Sequence, residues 1–99
     1  MILDKQLIGT QLPIPISIER TGFSMDTDTW SVRCMVGALS VRCPVVKKTD
    51  GTWVFLLDTS RLKAGLCIVI VEYQIPDENF TGGARRVVWK DELTYLEDV

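Results

Sequence analysis

Residues 29–45 read TWSVRCMVGALSVRCPV, and the two-residue period of this stretch decides the fold class. Trp30, Val32, Cys34 and Val36 fall on one face, with Thr29, Ser31, Arg33 and Met35 on the other. Gly37-Ala38 turns the chain, and Leu39, Val41, Cys43 and Val45 then alternate with Ser40 and Arg42. Successive side chains of a strand point to opposite faces, so this pattern marks two half-buried strands joined as a hairpin. A core helix would need an apolar stripe at i, i+3, i+4 and i+7, and no window of the chain carries one of sufficient length.

The same reading extends in both directions. Upstream, residues 14–20 alternate Ile14, Ile16 and Ile18 with Pro15, Ser17 and Glu19. Prolines at 13 and 15 place the start of this strand at a sheet edge, where a missing N–H does no harm. Downstream, Thr49-Asp50-Gly51 signals a tight turn in which Gly supplies a positive φ, and Trp53, Phe55 and Leu57 follow as an inward face. Asp58-Thr59-Ser60 caps a short helical turn near residues 59–63, with Gly65 as its end. Residues 66–75, LCIVIVEYQI, are apolar on both faces before they alternate, as expected of a strand central in its sheet or covered on its outer side. Here Val69, Val71, Tyr73 and Ile75 are inward and Glu72 and Gln74 outward.

Residues 76–84, PDENFTGGA, form a loop. A final strand over 85–96 places Val87, Trp89, Leu93 and Tyr95 inward and Arg86, Lys90, Glu92 and Thr94 outward. Asp91 falls in the inward phase, which predicts a bulge or bend beside it. The expected fold is all-β: an immunoglobulin-like antiparallel β-sandwich of six or seven strands with one short helical turn. A chain of 99 residues holds one hydrophobic core, so residues 1–99 are read as a single domain, with 1–12 as a loosely ordered N-terminal arm.

Composition narrows the function. Hydrophobic residues make up 46% of the chain and charged residues 24%, a globular balance. The net charge of −2 and the lack of a basic stripe argue against nucleic-acid binding; Lys47-Lys48 and Arg85-Arg86 read as solvated strand-end charges. No apolar run is long enough to cross a bilayer as a helix, and the N-terminal segment has no signal-peptide pattern. The expected location is the cytoplasm.

Chemistry is sparse. The chain has no histidine, which removes the commonest general base and transition-metal ligand and makes Ser-His-Asp and Cys-His machinery impossible as such. Its three cysteines, Cys34, Cys43 and Cys67, lack the paired spacing of a zinc site and read as buried reduced thiols; a Cys34–Cys43 bridge across the hairpin is the alternative. Adjacent carboxylates in Asp77-Glu78 and Asp91-Glu92 would point to opposite faces of a strand. Asp26 and Asp28 can share a side, but the further ligands of a calcium loop are not evident. Gly82-Gly83 precedes a strand, unlike a phosphate-cradling loop, which opens a helix. No catalytic residue, cofactor or metal ligand is expected, and the chain is read as a non-enzyme. Trp30, Trp53 and Trp89 all fall in the inward phase and read as core; exposed and coplanar, they would instead suggest a carbohydrate-binding module.

The order KKTDGTWVFLLDTSRLKAG (47–65) followed by YQIPDENFTGGARRVVWKDELTY (73–95) resembles small β-sandwich modules of tailed phages and prophages. It is similar in organisation to the N-terminal domain of phage baseplate upper proteins. The shared features are the turn and strand TDGTWVF, the crossover DTSRLKAG and the loop IPDENFTGGARRVV before the last strand. The resemblance implies a scaffold role, in which the module self-associates or docks on another virion protein through sheet edges. The expected partners are therefore proteins or further copies of this chain. The candidate contact residues are Asp77, Asn79, Phe80 and Arg85 in or beside the long loop, and outward-facing Met35, Leu56 and Val88.

Overall fold

A computed structural model describes residues 3–99. The chain is almost entirely β-structure. Its elements run β1 (Gln6–Leu7), β2 (Gln11–Ile16), β3 (Trp30–Val36), β4 (Leu39–Cys43), β5 (Val45–Lys47), β6 (Trp53–Asp58), a 3-10 turn (Thr59–Arg61), β7 (Gly65–Pro76) and β8 (Ala84–Glu97). Two sheets form, one in the order β1-β8-β7-β3-β4 and the other β2-β6-β5. Their inner faces share a core in which Ile14, Phe55 and Leu57 of the smaller sheet meet Val32, Cys34, Val69 and Val71 of the larger.

The hairpin of residues 30–43 forms with Gly37 at φ +58° in the turn and Cys34 opposite Val41. The 49–51 turn closes with Gly51 at φ +90°, a 2.7 Å bond from the Lys48 N–H to the Thr52 carbonyl, and Asp50 accepting from the Thr52 N–H. Asp58 caps the 3-10 turn by accepting from the Ser60 N–H. β7 is the middle strand of the larger sheet, which accounts for its two apolar faces. On its outer side Ile70 is buried between its cross-strand neighbours Arg33 and Lys90, whose aliphatic stems shield it.

Four expectations need correction. Pro44 splits the second strand of the 29–45 hairpin into β4 and β5, which belong to different sheets, and β1 adds another, so the described residues form eight strands and not six or seven. The pairing is not purely antiparallel, because β1 runs parallel to β8. Residues 3–12, expected as a loose arm, lie along the sheets: the Leu3 N–H donates to the Leu93 carbonyl and the Ile8 N–H to the Glu97 carbonyl, and Thr94 Oγ1 donates to the Asp4 carbonyl. Finally, the bulge expected near Asp91 forms, at Leu93 opposite Cys67/Ile68, and it is the phase of the residues after it that needs correction. The bulge inverts the phase beyond it, so Thr94 is buried and Tyr95, expected inward, stands on the outer face, 53% exposed.

Candidate interaction surfaces

The loop of residues 77–83, between β7 and β8, is built around Asp77. One of its carboxylate oxygens accepts from the Asn79 N–H at 3.0 Å and from the Asn79 side-chain amide at 3.1 Å. The other accepts from Arg85 Nε at 3.2 Å. The backbone N–H of Asn79 above all, with the Asn79 amide and the Arg85 guanidinium, holds the Asp77 carboxyl below its ordinary pKa. Three of the four loop candidates are thus brought together, and their polar atoms bond to one another. Phe80 alone projects, 51% exposed.

The outer face of the larger sheet carries the second set. Met35 on β3 lies opposite Ile68 on β7, and Val88 on β8 lies opposite Glu72. Tyr95 stands beside Leu66, which is 40% exposed. Tyr95, Leu66, Ile68 and Met35 make an apolar row across three strands, with Val88, 50% exposed, further along β8. Glu72 holds two arginines on this face, Arg33 and Arg86, each at 3.2 Å. Leu56 belongs to the other sheet and joins neither set; Val54, on the same face of β6, is buried between Pro15 and Val46 in the ladder.

Trp89 departs from the expectation in an informative way. It pairs with Val71 and so faces inward as its phase requires, yet it is 49% exposed. The smaller sheet has only three strands, and its edge strand β2 ends at Ile16, so the inner face of β8 is left partly uncovered. A groove of about 340 Å³ results, lined by Trp89, Tyr73, Val71, Leu93, Ile16 and Ile18, with Ser17, Glu19 and Arg20 supplying polar groups. Sequence phase alone could not show this, because phase gives a direction and not the extent of the layer above. Trp30 and Trp53 are half-buried and meet edge to face with ring centroids 5.3 Å apart. Trp30 Nε1 donates to the Met25 carbonyl.

Cys34, Cys43 and Cys67 are free and buried in the core. Contact with the Cys43 thiol, then with that of Cys67, and burial raise the pKa of Cys34 above the ordinary thiol value, which disfavours its thiolate. Among the described residues no group of three or more His, Cys, Asp or Glu is arranged to hold a metal ion, and no helix is long and apolar enough to cross a membrane. No family model, curated protein or solved structure matches the chain.

Proposed function

We propose that this chain is a non-enzymatic interaction module, an immunoglobulin-like sandwich serving as a structural component of a phage or prophage tail or baseplate. The strand order supports the immunoglobulin-like reading. Taking β2 to β8 as strands B, C, C′, D, E, F and G puts B, E and D in one sheet and G, F, C and C′ in the other, the distribution of a variable-type domain. The phage assignment rests on the resemblance of residues 47–65 and 73–95 to baseplate modules.

The observation that carries the interaction role is the apolar row of Tyr95, Leu66, Ile68 and Met35 on an outer sheet face. Contiguous apolar surface of this kind marks association sites, and a second copy of the chain is the proposed occupant. Light scattering over a range of concentrations is expected to show self-association that Leu66→Glu combined with Tyr95→Glu abolishes. A strict monomer at high concentration refutes self-assembly. Portal, tail-tube or tape-measure genes beside the coding sequence are the expected genomic context; a neighbourhood without virion genes counts against the phage assignment.

A second reading is favoured by Trp89 alone. A half-exposed indole in an apolar groove with Glu19 and Arg20 beside it offers the stacking surface and polar groups that a sugar ring requires. The coplanar pair of exposed aromatics expected of such modules is not formed, since Tyr95 lies on the opposite face of β8 from Trp89. Titration with oligosaccharides should quench or shift the Trp89 emission if this reading holds; unchanged emission excludes it.

A further inference from the structure

Four strands lie at sheet edges: β1 and β4 in the larger sheet, β2 and β5 in the smaller. They differ in what they offer a partner. β1 has two residues and β5 three. β2 has six but contains Pro13 and Pro15, two positions apart and without N–H donors, which blunts it as a template. β4 has five residues and no proline.

The pairing of β4 with β3 fixes which of its backbone groups are free. A two-residue turn joins the strands, so Val36 and Leu39 form the first hydrogen-bonded pair, and pairs of this kind alternate with non-bonded ones. Leu39, Val41 and Cys43 therefore exchange bonds with Val36, Cys34 and Val32. The N–H and C=O groups of Ser40 and Arg42 point away from the sheet.

Side chains along this edge define the partner's chemistry. Arg42 is exposed and lies opposite Arg33 on the outer face. Lys63 reaches to within 3.3 Å of the point where a Cβ on Gly37 would sit, beside the turn that begins β4. Neither Arg42 nor Lys63 forms an ion pair among the described residues. Asp26, close to the neighbouring β5, is already engaged by Lys47 at 2.8 Å. On the inner-facing side Leu39 is 40% exposed and Val41 partly so. Arginine facing arginine disfavours addition of a second copy through β4, because like charges would meet along the seam.

We infer that the free edge of β4 accepts an extended partner segment with alternating acidic and apolar residues, which adds as a sixth strand to the larger sheet. The Ser40 and Arg42 backbone groups supply the ladder, carboxylates on one side of the added strand meet Arg42, and apolar side chains on the other cover Leu39 and Val41. This deepens the interaction-module reading, on which it rests, and is separate from self-association through the outer face.

The test uses fluorescence polarisation of a labelled Val-Glu-Val-Glu-Val-Glu-Val peptide against the full chain. Saturable binding is expected that weakens at least tenfold between low salt and about 0.5 M salt, where charge attraction is largely screened. A Val-Lys repeat of the same length should not bind, and Arg42→Glu should reverse the preference. Ser40→Pro removes an N–H that points away from β3, so the hairpin is retained while binding falls at least tenfold. If that variant does not fold, an acidic peptide N-methylated at alternate residues makes the same test on the unaltered protein. Absence of saturable binding, or equal binding of the methylated peptide, overturns the inference. Light scattering of the unliganded chain separates this result from failure of the self-association reading.

Discussion

Thr59 joins the 3-10 turn to the N-terminal crossover, and its hydroxyl sets a measurable stake. The side chain is fully buried. Its Oγ1 accepts from the Gly9 N–H at 3.0 Å and donates to the Thr10 carbonyl at 2.7 Å. Thr59→Val preserves the shape and removes both bonds. Each is worth roughly 0.5–1.5 kcal/mol net. The Thr10 carbonyl keeps the Thr59 N–H as a donor at 3.1 Å, and Gly9 is exposed, so water reaches its freed N–H and no large orphan penalty is added. The expected loss is about 1–3 kcal/mol, or roughly 5–20 °C in Tm for a domain of this size. Urea unfolding measures the total, and hydrogen exchange of the Gly9 amide locates it. Thr59→Ser keeps the bonds and loses one methyl, about 0.8 kcal/mol, so Gly9 protection should persist in Ser and vanish in Val. Equal protection in both variants, or a Val variant within about 0.5 kcal/mol of the parent, refutes this account of the crossover.

Gly65→Ala should cost about 2–4 kcal/mol, because Gly65 sits at φ +135° and a Cβ there would lie 2.9 Å from Val36 Cγ1; a double-mutant cycle with Val36→Ala should recover the steric part and not the backbone strain. Asp50 and Asp58, held down by hydrogen bonds first from the Thr52 and Ser60 side chains respectively, and Asp77, held down first by the Asn79 N–H, should titrate below the ordinary 3.8 by carboxyl NMR. Since their folded values are depressed, their contribution to stability is complete above 3.8 and disappears as pH falls through the folded values; titration at or above 3.8 contradicts the hydrogen bonds. The three thiols should be inert to a thiol reagent in the folded protein and all react in denaturant, and labelling of the native state would contradict their burial.

Much of the fold is legible in local pattern because period-two alternation and turn chemistry act over a few residues. The 30–43 hairpin, the Gly51 turn, the Asp58 cap and the inward phase of Val69, Val71, Tyr73 and Ile75 are of this kind. Tyr95 takes the face opposite to its sequence phase because a single bulged residue inverts everything after it, and only Asp91 hints at the irregularity. Pro44 does not interrupt the period-two pattern of 39–45, although a residue that cannot donate is a natural point for a chain to leave one sheet for the other. β1 is too short to carry a period, and its parallel pairing depends on the distant Leu96 and Glu97. The surroundings of the contact candidates are less legible: Asp77, Asn79 and Arg85 bond to one another within and beside the loop. The exposure of Trp89 and the open edge of β4 depend on which strands are missing above and beside them, information that no single segment contains.

The contrast between the edges also governs what kind of assembly the module can build. Continuous sheet growth requires a donor edge and an acceptor edge of comparable length on the same sheet, so that each added copy presents the surface the previous one used. The larger sheet has five residues at one border and two at the other, and the smaller has a proline-containing strand at one border and a three-residue strand at the other. The two borders of the larger sheet are therefore poorly matched for joining copies of the chain edge to edge into one continuous sheet. A lattice of such modules would have to be finite through its edges and extend, if at all, through its faces.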